Sequence, residues 1–449
     1  MPRRAVPRLP SLHLESARGA MSITVLYFAV LLLSSMSARS LFAALIALTL
    51  IGFIGLRLQN RSFTLTIAPL PYDVAFAVFV AYAILSTFWA AEPYDAILKT
   101  GILIVPYLCL YGVLETGAQS STWVRHAALR GFLAAVIGLG ILIAGDIVTN
   151  RSLSLWLVNT VPGLASDFGR HVTLEGTTAI RITDAGIDRT ILTVTLTFIP
   201  AWLATAKLPT PAHRLTCRVL LAIPALVTFV AGPHQTSQLA AAAALLIAVL
   251  QRINLGWARR LLLLAWTIAC LFVLPLCIWG YETAKLQDSR WLFSSARTRV
   301  FIWGHIARAT LDHPILGVGA NGTARFVITT KDKTGKPDYR GGPISHPHNG
   351  YLQVWYELGV LGAALFWAIG TGAIAALRRL DRDRELLTAP LIAVLMTVIG
   401  TSYGLWQIWM LSAIALALAF HGLACADVVG RSGNSPLYSP VQGWHRRGP

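Results

Sequence analysis

Residues 350–377 read GYLQVWYELGVLGAALFWAIGTGAIAAL, an apolar run in which Glu357 is the one charged side chain. A helix of this length is roughly 40 Å long, enough to cross the hydrocarbon core of a bilayer. Directly before the run, residues 345–349 read SHPHN, and they close a polar stretch that begins at Tyr281. The junction predicts a membrane helix with chemistry at one of its ends.

The same apolar pattern continues through most of the chain. The sequence has 449 residues, of which 55% are hydrophobic and 13% are charged, whereas soluble domains carry about 25% charged residues. Twelve apolar runs are long enough to be candidate spans: residues 22–37, 41–57, 71–90, 96–115, 128–148, 189–206, 217–232, 237–250, 260–280, 350–377, 388–402 and 403–425. The prediction is an all-α, polytopic membrane bundle with about twelve transmembrane helices and two long loops.

The distribution of lysine and arginine predicts the orientation of these helices. Most of the basic residues collect in alternate short loops and in both tails, a bias typical of the cytoplasmic side. Residues 1–21 and 426–449 are therefore expected to be cytoplasmic tails, the second of them disordered. Residues 22–425 form the membrane domain, whose two long loops, 149–188 and 281–349, are expected to face outward.

Charge and cysteine content argue against several functional classes. The formal charge of +17 follows from the basic cytoplasmic loops, so it does not indicate a nucleic-acid partner. The five cysteines are an odd number without paired or metal-like spacing, which argues against a disulfide framework and a zinc site. An Asp-x-Asp pattern, often used to hold Mg²⁺ or Mn²⁺, occurs once, at Asp381–Asp383 in a basic loop.

The first long loop ends at an arginine with a fixed position. Arg189 follows Asp188 and precedes 17 residues without a charge, Thr190 to Ala206. A guanidinium at the mouth of a helix suits a bidentate contact with phosphate. For the other arginines of this loop, Arg151, Arg170 and Arg181, contacts with lipid headgroups are the simpler expectation.

In the second long loop, Ser294–Leu311 has the pattern of an amphipathic helix lying on or near the membrane. At 100° per residue, Arg299 and Trp303 share one face, and Arg297 points to nearly the opposite one. We therefore expect only Arg299 to face a pocket. The next residues, His313-Pro314, end the helix, and a glycine-rich turn from Gly317 to Gly322 is expected to be flexible.

Residues 346–349, hereafter the His-Pro-His-Asn segment, are the sharpest feature of this loop. Asn349 is a suitable N-cap for a helix that begins at Gly350, and Pro347 extends the backbone at His346. His348 then stands at the positive end of a helix dipole, which favours a neutral ring that can accept a proton from a hydroxyl. The alternative is that either histidine only caps the helix or lines the interface.

Glu357 lies two to three turns inside the following helix. An ionisable group at such depth is a functional hypothesis by default. A structural role, as the partner of one of the arginines, is the alternative. Gly359 and Gly362 are expected to allow close packing between helices.

These features resemble the O-antigen ligase / Wzy-type polymerase superfamily of bacterial membrane glycosyltransferases. The matching pattern is Arg299-x-x-x-Trp303, His313-Pro-Ile-Leu-Gly317-Val-Gly319, Arg325, His346-Pro-His348-Asn349-Gly-Tyr-Leu352 and Glu357-x-Gly359-x-x-Gly362. With Arg189, the motif region covers about residues 189–366. One departure is Gln238, at a position near the start of the eighth span where family members often carry arginine.

The resemblance implies transfer of a glycan from an undecaprenyl-diphosphate carrier to a hydroxyl acceptor on the periplasmic face of the inner membrane. The acceptor would be lipid A–core of lipopolysaccharide for a ligase, or another carrier-linked unit for an O-antigen or exopolysaccharide polymerase. Catalysis would be inverting and independent of metal, without a cofactor. On this hypothesis His348 is the base and Arg189 and Arg299 bind the diphosphate, supported by His346, Asn349, Glu357 and Arg325.

Two other classes compete with an enzyme. A flippase for lipid-linked oligosaccharides predicts internal symmetry and broken helices near mid-membrane, whereas this chain concentrates its polar residues in two loops. A membrane scaffold leaves the His-Pro-His-Asn segment and Glu357 unexplained. We therefore favour an enzyme, with ligase ahead of polymerase.

Overall fold

The computed structural model describes residues 17–35, 40–65, 70–161, 164, 171–183, 186–329 and 342–426. The predicted C-terminal tail lies almost wholly outside these ranges, as do residues 1–16 of the predicted N-terminal tail. Arg170 of the first long loop and residues 330–341 of the second are also outside the described residues.

The described ranges contain fifteen α-helices. They are α1 (Ala17–Ser35), α2 (Ser40–Leu58), α3 (Pro71–Leu85), α4 (Pro93–Gln119), α5 (Thr122–Val148), α6 (Ser152–Thr160), α7 (Asp188–Ala204), α8 (Pro211–Ala231), α9 (Gln235–Ile253), α10 (Leu255–Leu271), α11 (Val273–Ile278), α12 (Ser294–Thr310), α13 (Gly350–Ala376), α14 (Arg382–Thr401) and α15 (Ile408–Ala426).

The predicted fold class is confirmed. In the described part of the chain, ten helices are long and apolar enough to cross a membrane, and the bent pair α10–α11 would be an eleventh. The remaining predicted span, 22–37, corresponds to α1, whose apolar part, Gly19–Leu33, is shorter. The protein is therefore an all-α, multi-pass membrane protein. Helices suit membrane spans because they satisfy their backbone hydrogen bonds internally where no water is available.

Two of the predicted spans were wrong in detail. The run 260–280 is not one helix, since its axis bends by 71° between α10 and α11. Pro275 explains the break, because it cannot donate to the carbonyl of Leu271, four residues earlier. The last span does not begin at 403, since α14 ends at Thr401 and α15 begins at Ile408. The six residues between them, hereafter the 402–407 connection, form part of the candidate site.

Both long loops contain secondary structure that the sequence did not predict. In the first, α6 is followed by an antiparallel hairpin of β1 (Val172–Glu175) and β2 (Thr178–Ile182). In the second, β3 (Phe326–Ile328) pairs antiparallel with β4 (Gly342–Ile344). These strands are three to five residues long, too short for an alternating pattern to be recognised.

The helix predicted at Ser294–Leu311 is present as α12, and it packs against protein on more than one face. Phe301, Ile302 and Ile306 are buried in a core that also contains Tyr351 and Leu352. Because Phe301 and Ile306 differ by about 140° around the axis, more than one face of α12 packs against protein. The polar residues of α12 concealed this in the sequence.

The helices form two compact units. One comprises the described residues of Met1–Ala68, Pro106–Gln238 and Ser412–Pro449, and the other Pro69–Val105 and Leu239–Leu411. In the first unit α5 packs against α1, α7 and α8. In the second, α13 packs against α3, α10 and α12. Arg189 belongs to the first unit, and the other candidate site residues belong to the second.

Candidate active site

Helix α13 is broken at Gly359, contrary to the continuous span predicted from the sequence. Gly359 has φ 63° and ψ −162°, a combination essentially restricted to glycine. A Cβ at this position would lie 2.2 Å from the carbonyl oxygen of Ile315. Gly359 therefore allows the helix to break and the backbone of Ile315 to approach closely. The prediction that it allows close packing between helices was wrong.

The segment His313–Gly319, hereafter the motif loop, occupies this break. The amide of Val360 donates to the carbonyl of Pro314 at 2.9 Å, and the amide of Gly319 donates to the carbonyl of Glu357 at 2.9 Å. Gly317 has φ 71°, and a Cβ there would lie 2.3 Å from the carbonyl carbon of Glu357. The two glycines of the Gly-Val-Gly pattern thus belong to an ordered loop, and the prediction of a flexible turn was wrong for this part.

The carboxylate of Glu357 holds the next part of the same loop. Its side chain is 1% exposed and accepts hydrogen bonds from the Asn321 amide (2.8 Å), the Thr323 amide (3.2 Å) and the Thr323 hydroxyl (2.6 Å). Gln353 Nε2 (2.9 Å) and Trp406 Nε1 (2.6 Å) complete the set. Among the described residues no arginine pairs with it, so none of them is the arginine partner that the sequence left open. Five donors around one carboxylate give Glu357 a positioning role.

His348 has an unusual backbone and a defined ring orientation. Its φ is 57°, in the left-handed region that residues other than glycine rarely adopt and that recurs at active sites. Its Nδ1 lies 2.6 Å from the carbonyl oxygen of Ser402. Because a carbonyl can only accept, Nδ1 carries the hydrogen, and the lone pair of the neutral ring is on Nε2.

The His-Pro-His-Asn segment is held from both sides. Asn349 Oδ1 accepts from the Leu352 amide at 3.1 Å, which confirms the predicted N-cap of α13. Trp303 Nε1 of α12 donates to the carbonyl of Pro347 at 2.7 Å. Arg299 lies one turn before Trp303 on the same face of α12. The Arg-x-x-x-Trp pattern therefore places Arg299 on the face of α12 that meets this segment.

The two histidine rings of the His-Pro-His-Asn segment cluster with the ring of Tyr403. The ring centroids of His346 and His348 are 4.3 Å apart, and that of Tyr403 lies 6.0 Å from His346 and 6.2 Å from His348. Ser345 Oγ lies 2.9 Å from His346 Nδ1. A Cβ at Gly404 would lie 2.7 Å from Cβ of His346. The absence of a side chain at 404 therefore allows the 402–407 connection to approach the histidines.

Sequence reasoning missed this connection. It supplies the Ser402 carbonyl, the Tyr403 ring and the Trp406 indole, and the Leu405 amide donates to Gln353 Oε1 at 2.8 Å. The available signal was a Ser-Tyr-Gly sequence between two apolar runs, which is typical of a turn. The predicted spans 388–402 and 403–425 are contiguous and left no residues for a loop there.

Two other arginines of the second unit form ion pairs away from the His-Pro-His-Asn segment. Arg325 is exposed and forms an ion pair with Glu92. Arg308, on another face of α12 from Arg299, pairs with Glu282, and this hydrogen bond raises the pKa of Arg308. Arg189 is exposed in the first turn of α7, in the other unit.

Gln238, which stands where family members often carry arginine, makes a backbone contact. Its Nε2 donates to the carbonyl of Gly232 at 3.0 Å, immediately after the C-terminal end of α8. The side chain therefore closes the turn into α9 and brings no positive charge there. Any positive charge for a phosphate must come from other residues.

In the described ranges no group of three or more His, Cys, Asp and Glu side chains could hold a metal ion. The first carboxylate of the Asp-x-Asp pattern, Asp381, accepts from the Arg384 amide at 2.9 Å and caps α14. This contact is a structural use of the carboxylate.

Comparison with known proteins bears on the segment that contains most of this geometry. Residues 220–367 match the family described as O-antigen ligase. These residues are hereafter called the O-antigen ligase segment, after the family that they match. It contains α12, the motif loop, the His-Pro-His-Asn segment and Glu357, and the 402–407 connection lies beyond its end.

Individual relatives match over a similar length. A protein of Rickettsia typhi named "Putative polysaccharide ligase" is 30% identical over 141 residues. A protein of Rickettsia prowazekii with the same description is also 30% identical over 141 residues. Each match covers 30% of this chain and 34% of the relative. The chain therefore matches about a third of the length of these relatives.

Proposed function

We propose that this protein is a ligase-type glycosyltransferase that moves a glycan from undecaprenyl diphosphate to a hydroxyl of lipid A–core. The reaction takes place on the periplasmic face of the bacterial inner membrane. The observation that carries the proposal is the contact of His348 Nδ1 with the Ser402 carbonyl, which leaves Nε2 as the basic nitrogen. The O-antigen ligase segment and the names of the relatives support the reaction class.

The chemistry is a single displacement. Nε2 of His348 removes the proton from the acceptor hydroxyl while its oxygen attacks the anomeric carbon. The bond between that carbon and the diphosphate oxygen breaks, and the carrier leaves as undecaprenyl diphosphate. One displacement inverts the anomeric configuration. The Ser402 carbonyl remains bonded to Nδ1–H and stabilises the imidazolium that forms.

The departing diphosphate requires positive charge. A guanidinium can contact two phosphate oxygens at once, and fixed cations are effective where negative charge develops. Arg299 is our first candidate because it lies one turn from Trp303, which binds the backbone of Pro347. Arg189, at the mouth of α7, is a second candidate on the sequence pattern alone. The proposal requires neither a metal nor a cofactor.

The broken helices raise the transporter alternative again, since broken spans are typical of transporters. At Gly359, however, the break is occupied by the motif loop, which forms hydrogen bonds with the Val360 amide and the Glu357 carbonyl. These backbone groups are therefore not available to coordinate a substrate. The observation favours a rigid site over a transport pathway.

The proposal is tested by deleting the gene and separating lipopolysaccharide on a gel. Loss of a ligase leaves core without polymer, while carrier-linked polymer accumulates. Loss of a polymerase instead leaves core bearing one repeat unit, and this result would replace our proposal. Restoration of the wild-type pattern by the intact gene is the control.

A further inference from the structure

The end of the second unit opposite to His348 has two adjoining cavities lined by arginine. The part of α13 after the break, from Val360 to Ala376, is about 25 Å long and separates these cavities from the His-Pro-His-Asn segment. One cavity has a volume of about 370 Å³ and the other about 330 Å³. Both are lined by Gly256 and Arg259, at the start of α10.

The surrounding segments are strongly basic. Residues 252–260 and 378–385 carry seven arginines against three carboxylates. The buried Glu385 carboxylate pairs with Arg259 at 3.0 Å. Arg260, Arg378 and Arg382 also line the cavities, and within the described ranges none of them has an ion-pair or hydrogen-bond partner. Three unpaired guanidinium groups that line the two cavities attract an anion.

The walls of the cavities are not uniform. Ile374 and Ala375 lie about one turn inside Arg378 along α13, and Leu263 lies one turn inside Arg260 along α10. Thr371, one further turn inside, has a buried hydroxyl without a hydrogen-bond partner. A charged opening above an apolar wall fits an amphiphile better than a free ion.

A second buried polar group, the side chain of Gln251, indicates what the headgroup of such a ligand contains. Gln251 is 1% exposed and lines the first cavity. Its Nε2 donates to the Glu385 carbonyl at 3.0 Å, but its Oε1 is buried and has no partner. A buried acceptor without a donor is unfavourable by about 1–3 kcal/mol, so the site is suited to a ligand that donates a hydrogen bond there.

We propose that the two cavities form one binding site for an anionic phospholipid of the phosphatidylglycerol class. Its phosphate contacts Arg260, Arg378 and Arg382, and its glycerol hydroxyl donates to Gln251 Oε1. An ester group lies near the Thr371 hydroxyl, and an acyl chain follows the apolar wall. This proposal does not depend on the glycan-transfer reaction, because the site is at the other end of α13 from His348.

The test uses full-length protein, delipidated in a neutral detergent and titrated with lipid, with binding measured by native mass spectrometry. We expect one dioleoylphosphatidylglycerol bound tightly and dioleoylphosphatidylcholine bound weakly. The double variant R260Q/R378Q should bind phosphatidylglycerol about 30-fold more weakly. The matched control is R252Q/R379Q, which removes two exposed arginines that line neither cavity and should change binding less than about threefold.

Three results would overturn the site. They are equal binding of the two lipids, equal losses in the two double variants, or complete displacement of the lipid by millimolar inorganic phosphate, which would indicate a simple anion site. Unfolding temperatures of both variants, measured without lipid, separate a loss of binding from a loss of structure. An R260Q/R378Q protein that melts as the wild type does but no longer binds supports the proposal.

The headgroup assignment has its own test. Dioleoylphosphatidylmethanol has the charge of phosphatidylglycerol but no free hydroxyl. We expect it to bind the wild-type protein about fivefold more weakly, the effect of one lost hydrogen bond. Equal affinities would contradict the contact between the hydroxyl and Gln251.

Discussion

Arg299 and Arg297 stand two positions apart on α12 and project from different faces. We expect Arg299→Lys to lower the rate of glycan transfer about tenfold or more, because lysine keeps the charge but loses the planar, two-pronged contact with phosphate. Arg297→Lys is the matched control and should be nearly silent. The measurement is complementation of a deletion strain, followed by rates with purified protein. The reverse ranking would mean that α12 presents its other face to the donor.

Glu357 offers a different kind of test, because the structure gives it a positioning role. In Glu357→Gln, the amide NH₂ must face groups that are themselves donors, such as the Thr323 and Asn321 amides. We expect the variant to lose about 1–3 kcal/mol of stability, visible as a lower unfolding temperature. A variant with normal stability but no activity would instead support a direct role for the carboxylate in the reaction.

The side chains of the site could be named from the sequence, but their partners could not. His348 and Asn349 stand out because histidine and a capping residue directly precede an apolar run. The acceptor of the His348 Nδ1–H is a carbonyl 54 residues later, and no local pattern reports such a contact. For Glu357 the sequence offered an arginine as one possible partner, whereas amide, hydroxyl and indole groups surround it in the fold.

The break in α13 can be tested through its glycine. Gly359→Ala places a side chain where φ is 63° and the Ile315 carbonyl is 2.2 Å away, so backbone strain alone should destabilise the protein by about 1–3 kcal/mol. The control is Gly101→Ala in α4, where nothing lies within 4 Å of the new Cβ and alanine favours the helix. Unfolding temperatures should fall for the first variant and stay equal or rise for the second. Equal temperatures would contradict the broken helix.

Helices were predicted better than their interruptions. A bilayer imposes a minimum length on an apolar span, so each run was visible without knowledge of its neighbours. The break at Gly359 depends on the motif loop, whose residues lie 40 to 46 positions earlier in the chain. Pro275 was a local signal for the bend between α10 and α11, but the continuous apolar composition on both sides outweighed it.

The orientation of the whole molecule remains a prediction from its basic loops. Alkaline phosphatase, which is active only outside the cytoplasm, should be active when fused after Lys331 in the second long loop. The matched fusion after Leu380, between α13 and α14, should be inactive because the positive-inside rule assigns that turn to the cytoplasm. Activity of the second fusion alone would invert the proposed topology.

The central claim is that Nε2 of His348 removes the acceptor proton, and His348→Asn tests it most directly. Asparagine tolerates the left-handed backbone, and its amide N–H can replace Nδ1–H in the bond to Ser402, but it has no basic nitrogen. With purified protein, carrier-linked donor and excess EDTA, we expect wild-type turnover to persist and the variant to lose about 10²–10⁴-fold in rate, with an unchanged unfolding temperature. Near-normal transfer by His348→Asn would contradict the account.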